Sequence, residues 1–275
     1  MTLSDVTLIP VARQRWLTPS RAFGLGLLAL LALFSLLGPV LLGHDPAAQN
    51  FAASLAQPGR DYLLGADHYG RSMLVRLAHG ARLSFGMALL TVVTAAVPGV
   101  LFGLLAAWRG GVLERVLDFV ATVLLALPGL LLVLILLAFA PGTFGPLYLG
   151  LALTLWIEFY RMTRATAATV LKQLHIEAAR LLGFGSGYIL RCYVLPEIRP
   201  ILMTLTAFGM ATAIIAISTL SAISVGLQPP TPELGAMIVE LLPYYDEAPF
   251  HVLMPAVLIV LLVLGLQLTA RGEVR

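Results

Sequence analysis

The stretch Ile176–Pro196, IEAARLLGFGSGYILRCYVLP, decides how the rest of this chain is interpreted. It is polar and rich in glycine, whereas the sequence on both sides is apolar enough to lie in a bilayer. Glu177 suits the positive end of a helix dipole, and Gly183 permits the left-handed backbone that often ends a helix. The pattern predicts a short helix in water between two membrane-spanning helices.

The predicted short helix has one apolar face. Ile176, Ala179 and Leu182 recur every three residues, a spacing that places them on one side of a helix. Arg180 follows Glu177 by three residues, so we expect these two side chains to form an ion pair.

A second polar helix is expected to end at Pro196 and Pro200, because proline lacks the N–H that a continuing helix needs. An ordinary loop is the alternative interpretation, but a loop needs neither this length nor this organisation. The segment is therefore expected to dock against a separate protein in water.

The composition indicates a membrane protein. The chain has 275 residues, of which 59% are hydrophobic and 11% are charged. A soluble domain typically has about one-quarter charged residues, so the bilayer is the expected solvent. Its basic residues lie between apolar runs and therefore indicate topology rather than nucleic-acid binding. The single cysteine, Cys192, excludes an intramolecular disulfide.

Six segments are long and apolar enough to cross a hydrocarbon core of about 30 Å. They are 22–43, 83–108, 116–140, 147–165, 200–222 and 251–270. The predicted fold class is all-α, a polytopic membrane protein with six transmembrane helices over residues 22–270. Residues 1–21 and 271–275 flank this domain.

The basic residues predict the orientation. Thirteen of the 17 Lys and Arg residues fall on one side of the predicted spans, which the positive-inside rule assigns to the cytoplasm. Both termini and the loop 166–199 are then cytoplasmic, and the loops 44–82 and 223–250 lie outside. Four arginines in the first outer loop disagree with this assignment. They are Arg60, Arg71, Arg76 and Arg82.

Acidic residues near the predicted spans are interpreted as paired anchors. Asp118 follows Arg115 by three residues, and Glu158 precedes Arg161 by three. Each spacing allows neutralisation near the lipid headgroups. A proton-driven carrier would need lone carboxylates deeper in the membrane, so this pattern argues against one.

Glycine and proline shape two of the spans. Gly99 and Gly103 form a small-residue face that suits close helix packing. Pro98 and Pro128 lie within spans and should bend them. A gating role for these residues is the alternative.

The fifth span carries many small and hydroxyl-bearing residues. Its pore or packing candidates are Thr204, Gly209, Thr212 and Ser218. Such a face either packs against a neighbouring helix or lines a wet path, and side-chain hydrogen bonds serve both. Both interpretations stay open.

The first outer loop contains a motif that suggests chemistry. The stretch Gly65–Ser72 matches a phosphate-binding loop, except that Arg71 replaces the essential lysine. Turn-like residues precede it where a buried strand is needed, so we predict no nucleotide site and no catalytic residue. Asp67, His68 and His79 lack a persuasive ligand spacing, so no metal site is predicted.

Glu177-Ala178-Ala179, followed by Gly183 and Leu195-Pro196, resembles the EAA motif of binding-protein-dependent ATP-binding-cassette (ABC) importer permeases. Two further stretches resemble the C-type permease subunits of dipeptide, oligopeptide and nickel importers. Leu64–Ser72 is similar to their sequence before the second helix, and Gly226–Met237 is similar to their loop after the fifth.

The resemblance implies a type I ABC importer permease fold in a bacterial inner membrane. It implies a second, usually non-identical permease subunit, two ATPase subunits that carry ATP and magnesium, and an extracytoplasmic substrate-binding protein. This chain would bind no cofactor and would not hydrolyse ATP itself. Ser72 and Leu234 depart from the usual family residues, so the cargo stays open between small peptides and nickel or a metal chelate.

The same resemblance implies that the EAA loop, 166–199, couples this chain to the ATPase. The coupling residues carried over are Glu177, Ala178, Ala179 and Gly183, with Arg180 and Pro196 as weaker members. An ion-coupled secondary carrier is the alternative function. It would need an inverted repeat or ion ligands at the membrane midplane, and the sequence offers neither.

Overall fold

The computed structural model describes residues 18–43, 45–140 and 143–270, so most of the predicted flanking segments 1–21 and 271–275 lies outside the described residues. The described part contains ten α-helices. They are α1 (Pro19–Leu42), α2 (Met73–Arg109), α3 (Gly111–Leu125), α4 (Gly129–Phe139), α5 (Phe144–Leu171), α6 (Leu174–Leu181), α7 (Ser186–Ile189), α8 (Leu195–Ala222), α9 (Leu234–Leu241) and α10 (Pro249–Ala270).

The all-α, polytopic prediction is confirmed, but the count of six spans is not. Four of the described helical segments are long and apolar enough to cross a membrane: α1, α2, the continuous segment Ser186–Ala222 and α10. The bent pair α3 and α4 makes a fifth if it is counted as one span. The predicted fourth span, 147–165, lies within α5, where Glu158 and Arg161 reduce the apolar character.

The third predicted span, 116–140, is broken near its middle. α3 ends at Leu125, Pro128 precedes the first residue of α4, and the two helix axes differ by 79°. The bend predicted at Pro128 is therefore confirmed, because proline cannot supply the N–H that would continue the helix. α2, in contrast, continues through Pro98.

The start of α2 and the end of the second polar helix differ from the predictions. α2 begins at Met73, ten residues before the predicted start at 83, so its first turns include charged residues. The prediction that Pro196 and Pro200 end a second polar helix is wrong. A π-helical turn, Leu190–Val194, joins α7 to α8, and both prolines lie within α8. Pro196 is tolerated because it lies in the first turn of α8.

Helices α2 and α5 pack against each other along much of their length. A Cβ atom added to Gly99 would lie 2.6 Å from the Cβ of Phe159, and one added to Gly103 would lie 2.8 Å from the Cβ of Thr163. The close packing predicted for this glycine face is therefore confirmed, since only glycine leaves room for the opposing helix.

The two ends of the bundle are defined by the contacts of α2, whose 37 residues span about 55 Å. Near its start, Gly80 lies against Leu234 of α9. At its end, the Trp108 ring centroid lies 5.8 Å from the guanidinium carbon of Arg180 in α6. We call these the α9 end and the α6 end.

Candidate functional site

The candidate site is α6 together with the residues that follow it at the α6 end, and this short helix has a defined termination. Gly183 adopts a left-handed backbone with φ of 85°, as the sequence predicts. Its N–H donates to the carbonyl of Arg180 at 3.0 Å, and the N–H of Phe184 donates to the carbonyl of Ala179 at 3.1 Å. These two hydrogen bonds close the C-terminus of α6 and fix the direction of the chain that follows.

One face of α6 is anchored to the rest of the bundle. Ile176 and Ala179 are buried, and Ile176 packs with Ile189 and Ile198 in a separate small apolar cluster. Leu182 was predicted to share this face, but 78% of it is exposed. It follows the last residue of α6, so helical spacing no longer sets its direction.

The predicted ion pair between Glu177 and Arg180 is absent from the described structure. Arg180 lies over the ring of Trp108, and Glu177 is exposed together with Ala178. An exposed ion pair is typically worth less than about 1 kcal/mol, so an aromatic ring close to the guanidinium competes well with it.

A group of large apolar side chains faces outward around α6. Leu174, Leu181 and Leu182 are 82%, 85% and 78% exposed. Phe184 and Tyr188 are also exposed, and their rings stack with centroids 4.7 Å apart. We call these five residues the α6 surface. Exposed apolar side chains that cluster in this way mark an interaction site. Leu181 and Leu182, adjacent to each other before Gly183, are the feature of the sequence from which this surface could have been predicted.

The acidic residues of α3 have a different partner from the predicted one. Arg164 of α5 places Nη1 2.6 Å from Oε1 of Glu114 and 2.6 Å from Oδ2 of Asp118. The Tyr160 hydroxyl also donates to Oδ1 of Asp118, at 2.8 Å. The predicted pairing of Asp118 with Arg115 is wrong, because α5 offers both a cation and a hydroxyl group.

Glu158 is not a paired anchor either. It is exposed on α5, and no ion pair joins it to Arg161 in the described part of the chain. An ionisable residue within a membrane helix is costly unless it faces a partner or a wet path. Glu158 therefore marks a face of α5 that this chain alone does not cover.

The four candidates on α8 fall into two groups. Gly209 is buried, and a Cβ added to it would lie 3.2 Å from Cγ2 of Val92. Ser218 is buried as well, and its hydroxyl donates to Oε1 of Glu233 at 2.9 Å. Glu233 also accepts from the N–H of Ala236 and thereby caps α9. Both candidates hold helices together.

The other two candidates are accessible. Thr204 is partly buried, and Thr212 is exposed. Thr212 shares an open stripe with Phe208, Ile215 and Thr219, which recur at the helical spacing of three or four residues. Thr212 therefore lies on a face of α8 that this chain alone does not cover.

A buried ionic network, which was not predicted from the sequence, lies at the α9 end. Arg71 Nε lies 2.6 Å from Oδ2 of Asp67, and Arg71 Nη2 lies 2.5 Å from Oε1 of Glu240. Arg76 Nη2 lies 2.7 Å from Oε2 of Glu240, and Arg76 also donates to Asp67. Two of the four arginines that disagreed with the topology are thus neutralised within the protein.

The network shifts the titration of its carboxyl groups. Burial by itself would raise the pKa of Asp67, but the N–H of Arg71 and the charges of Arg76 and Arg71 hold it below its ordinary value. Burial would likewise raise the pKa of Glu240, and Arg76 together with Arg71 lowers it. Both groups are therefore ionised near neutral pH.

The comparisons with known proteins agree with this architecture. The family described as binding-protein-dependent transport system inner membrane component matches residues 99–271. The Di/tripeptide transport system permease protein DppC of Pseudomonas aeruginosa (strain UCBPP-PA14) is 33% identical over 260 residues, which cover 90% of this chain and 84% of that protein.

A second relative and a solved structure agree. The Dipeptide transport system permease protein DppC of Haemophilus influenzae (strain ATCC 51907 / DSM 11121 / KW20 / Rd) is 30% identical over 90% of this chain and 86% of its own length. A chain of the MetNI methionine ABC transporter, solved in inward facing conformations, superposes with a TM-score of 0.55 at 20% identity, covering 74% of this chain and 98% of that one. The chain therefore belongs to the binding-protein-dependent transport system inner membrane component family, and it is a multi-pass permease component of an ABC importer.

Proposed function

We propose that this chain forms half of the path through which an ABC importer carries small peptides into the cell, and that α6 is its contact with a separate ATPase. The α6 surface carries this proposal. Its outer side is apolar and exposed, whereas its inner side is anchored through Ile176 and Ala179. A helix fixed on one side and docked on the other can transmit a rigid-body movement.

The orientation follows from the same assignment. The α6 end faces the cytoplasm, where the ATPase subunits are, and the α9 end faces the substrate-binding protein outside. Arg71 and Arg76 no longer count against this orientation, because Asp67 and Glu240 neutralise them. Both chain termini are then cytoplasmic.

Peptides are favoured as cargo over nickel or a metal chelate, because the similar curated proteins carry dipeptide and di/tripeptide names. The partner subunit of the path is a second, non-identical permease. We assign Thr204 and Thr212 to the path lining, and we assign Gly209 and Ser218 to packing. Ligand-induced thermal stabilisation of the cognate binding protein by dipeptides, and not by nickel chelates, is the expected result.

The coupling role is tested by charge reversal. Glu177→Lys should abolish peptide uptake by the reconstituted importer while membrane insertion stays normal. Glu197→Lys is the matched control, because Glu197 is also exposed and lies in the first turn of α8. Equal uptake by both variants would refute the assignment. Uptake that followed a proton gradient without ATP would favour the secondary carrier.

A further inference from the structure

The proposed function makes no use of a groove between three helices at the α6 end. Its volume is about 760 Å³, and α1, α8 and α10 form its walls. The lining side chains are mostly apolar. Along α8 they are Leu195, Arg199, Leu202, Met203, Thr206, Ala207 and Met210.

The groove has a charged mouth and an apolar interior. Arg21 lies in the first turn of α1, and Arg199 lies near the start of α8. Thr269 lines the groove from the last turn of α10. α1 begins at this level, and the described part of α10 reaches the same level, so the mouth lies where the lipid headgroups begin. Arg199 is exposed and has no ion-pair partner among the described residues.

The depth of the groove matches one leaflet of a bilayer. Arg199 and Met210 are separated by 11 residues of α8, which corresponds to about 16 Å along the helix. Half of a hydrocarbon core is about 15 Å thick. An acyl chain whose headgroup contacts Arg199 would therefore reach the level of Met210.

The shape of the groove suits a flexible chain. Its floor is buried and includes Met210 and Leu266, whereas Leu25 and Met203 on its walls are partly exposed. Methionine side chains adapt to an irregular apolar ligand. Two arginines at the mouth add affinity for a negatively charged headgroup, as basic pockets between membrane helices do.

From this arrangement we propose that the groove between α1, α8 and α10 binds one anionic phospholipid, with its headgroup at Arg21 and Arg199 and an acyl chain along α8. The site lies beside α8, which carries both the proposed path stripe and the connection to α6. A bound lipid would therefore stabilise the position of the helix that the ATPase moves.

The test uses the complete importer in lipid vesicles. Photoactivatable phosphatidylglycerol, with the reactive group in its acyl chain, is compared with phosphatidylcholine that carries the same chain. Phosphatidylglycerol should label the α8 segment 203–210 several-fold more than phosphatidylcholine does. Arg199→Gln should reduce its labelling to the phosphatidylcholine level, whereas Arg191→Gln, at an exposed arginine outside the groove, should not.

A second variant tests the groove without altering its charge. Leu25→Trp replaces a partly exposed wall residue with a larger one and should reduce labelling by phosphatidylglycerol while both arginines remain. Equal labelling by the two lipids would overturn the proposal, because it indicates bulk lipid only. Crosslinking of a photoreactive residue at Met203 to the second permease would also overturn it, since a protein would then cover the groove.

Discussion

Arg76 and Glu240 are 164 positions apart in the sequence, yet Nη2 of Arg76 lies 2.7 Å from Oε2 of Glu240. This ion pair joins the start of α2 to α9, and Arg71 and Asp67 extend it into the first outer loop. The stacked rings of His68 and Tyr244, with centroids 5.0 Å apart, join the same two regions. The α9 end is therefore held by long-range side-chain contacts.

Removal of Glu240 should destabilise the protein strongly. Glu240→Ala leaves Arg76, which is 1% exposed, without one of its two carboxylate partners. Breaking a buried pair from one side costs about 3–5 kcal/mol in the free energy of unfolding. Denaturant unfolding in mixed micelles measures it. Glu247→Ala, at an exposed carboxylate in the same loop, is the control and should change stability little.

The same network predicts how stability depends on pH. The pKa values of Asp67 and Glu240 lie below their ordinary values of 3.8 and 4.5 in the folded state. The two ionised carboxylates therefore contribute their full stabilisation at pH values above their ordinary pKa values. This stabilisation is lost as the pH falls through the lower pKa values that they have in the folded protein. The stability advantage over Glu240→Gln should stay constant from pH 7 to 5 and shrink below about pH 4.5.

Comparing the unchanged protein with Glu240→Gln distinguishes the titration of the network carboxylates from that of a nearby histidine. Burial lowers the pKa of His68, so its contribution is also lost on acidification, but below its ordinary value of 6.5. A loss that begins near pH 6 and appears in both proteins does not come from the Glu240 carboxylate, because Glu240→Gln lacks that group. An advantage over Glu240→Gln that did not shrink in acid would contradict the assignment to the carboxylates.

Local features of the fold could be predicted from the sequence, because each depends on a few adjacent residues. The bend at Pro128 and the left-handed Gly183 both follow from the backbone chemistry of single residues. The close approach at Gly99 and Gly103 follows from their spacing on one helix.

Side-chain partners could not be predicted, since they depend on which helices lie side by side. Nearest neighbours in sequence suggested Arg115 for Asp118, but α5 brings Arg164 closer. The start of α2 was misplaced for the same reason. Arg76 is too costly for a membrane helix unless a distant carboxylate neutralises it, and only the fold supplies Glu240.

The termination of α6 can be tested at Gly183. Gly183→Ala places a side chain on a left-handed backbone, which costs about 1–2 kcal/mol, although no neighbouring atom obstructs the new Cβ. We expect lower stability of the α6 end and reduced ATP-driven peptide uptake. Gly187→Ala is the matched control, because its Cβ also meets open space and its backbone is not left-handed. Faster hydrogen exchange in α6 of the Gly183 variant alone is the expected readout.

A substitution on the α6 surface should weaken assembly with the ATPase subunits without lowering the stability of this chain. Leu181→Ser changes an exposed side chain, so the free energy of unfolding should change by less than about 0.5 kcal/mol. Copurification of the ATPase subunits should nevertheless fall, because the apolar contact is lost. Ile176→Ala should instead affect stability more than copurification. It removes part of the buried cluster, so the free energy of unfolding should fall by about 2–5 kcal/mol. Normal ATPase copurification with Leu181→Ser would argue against docking at this surface.

The packing of α2 on α5 can be tested with two glycines of one helix. Gly99→Ala would place its Cβ 2.6 Å from the Cβ of Phe159 and 2.7 Å from the carbonyl oxygen of Trp156, so α5 must move. Overpacking of this kind costs about 1–3 kcal/mol. Gly86→Ala meets no atom within 4 Å and should instead stabilise α2 by about 0.5–1 kcal/mol, because alanine favours the helix. Because both substitutions add one methyl group to α2, opposite shifts in unfolding free energy isolate the contact with α5. Equal shifts would mean that the two helices are not in contact at Gly99.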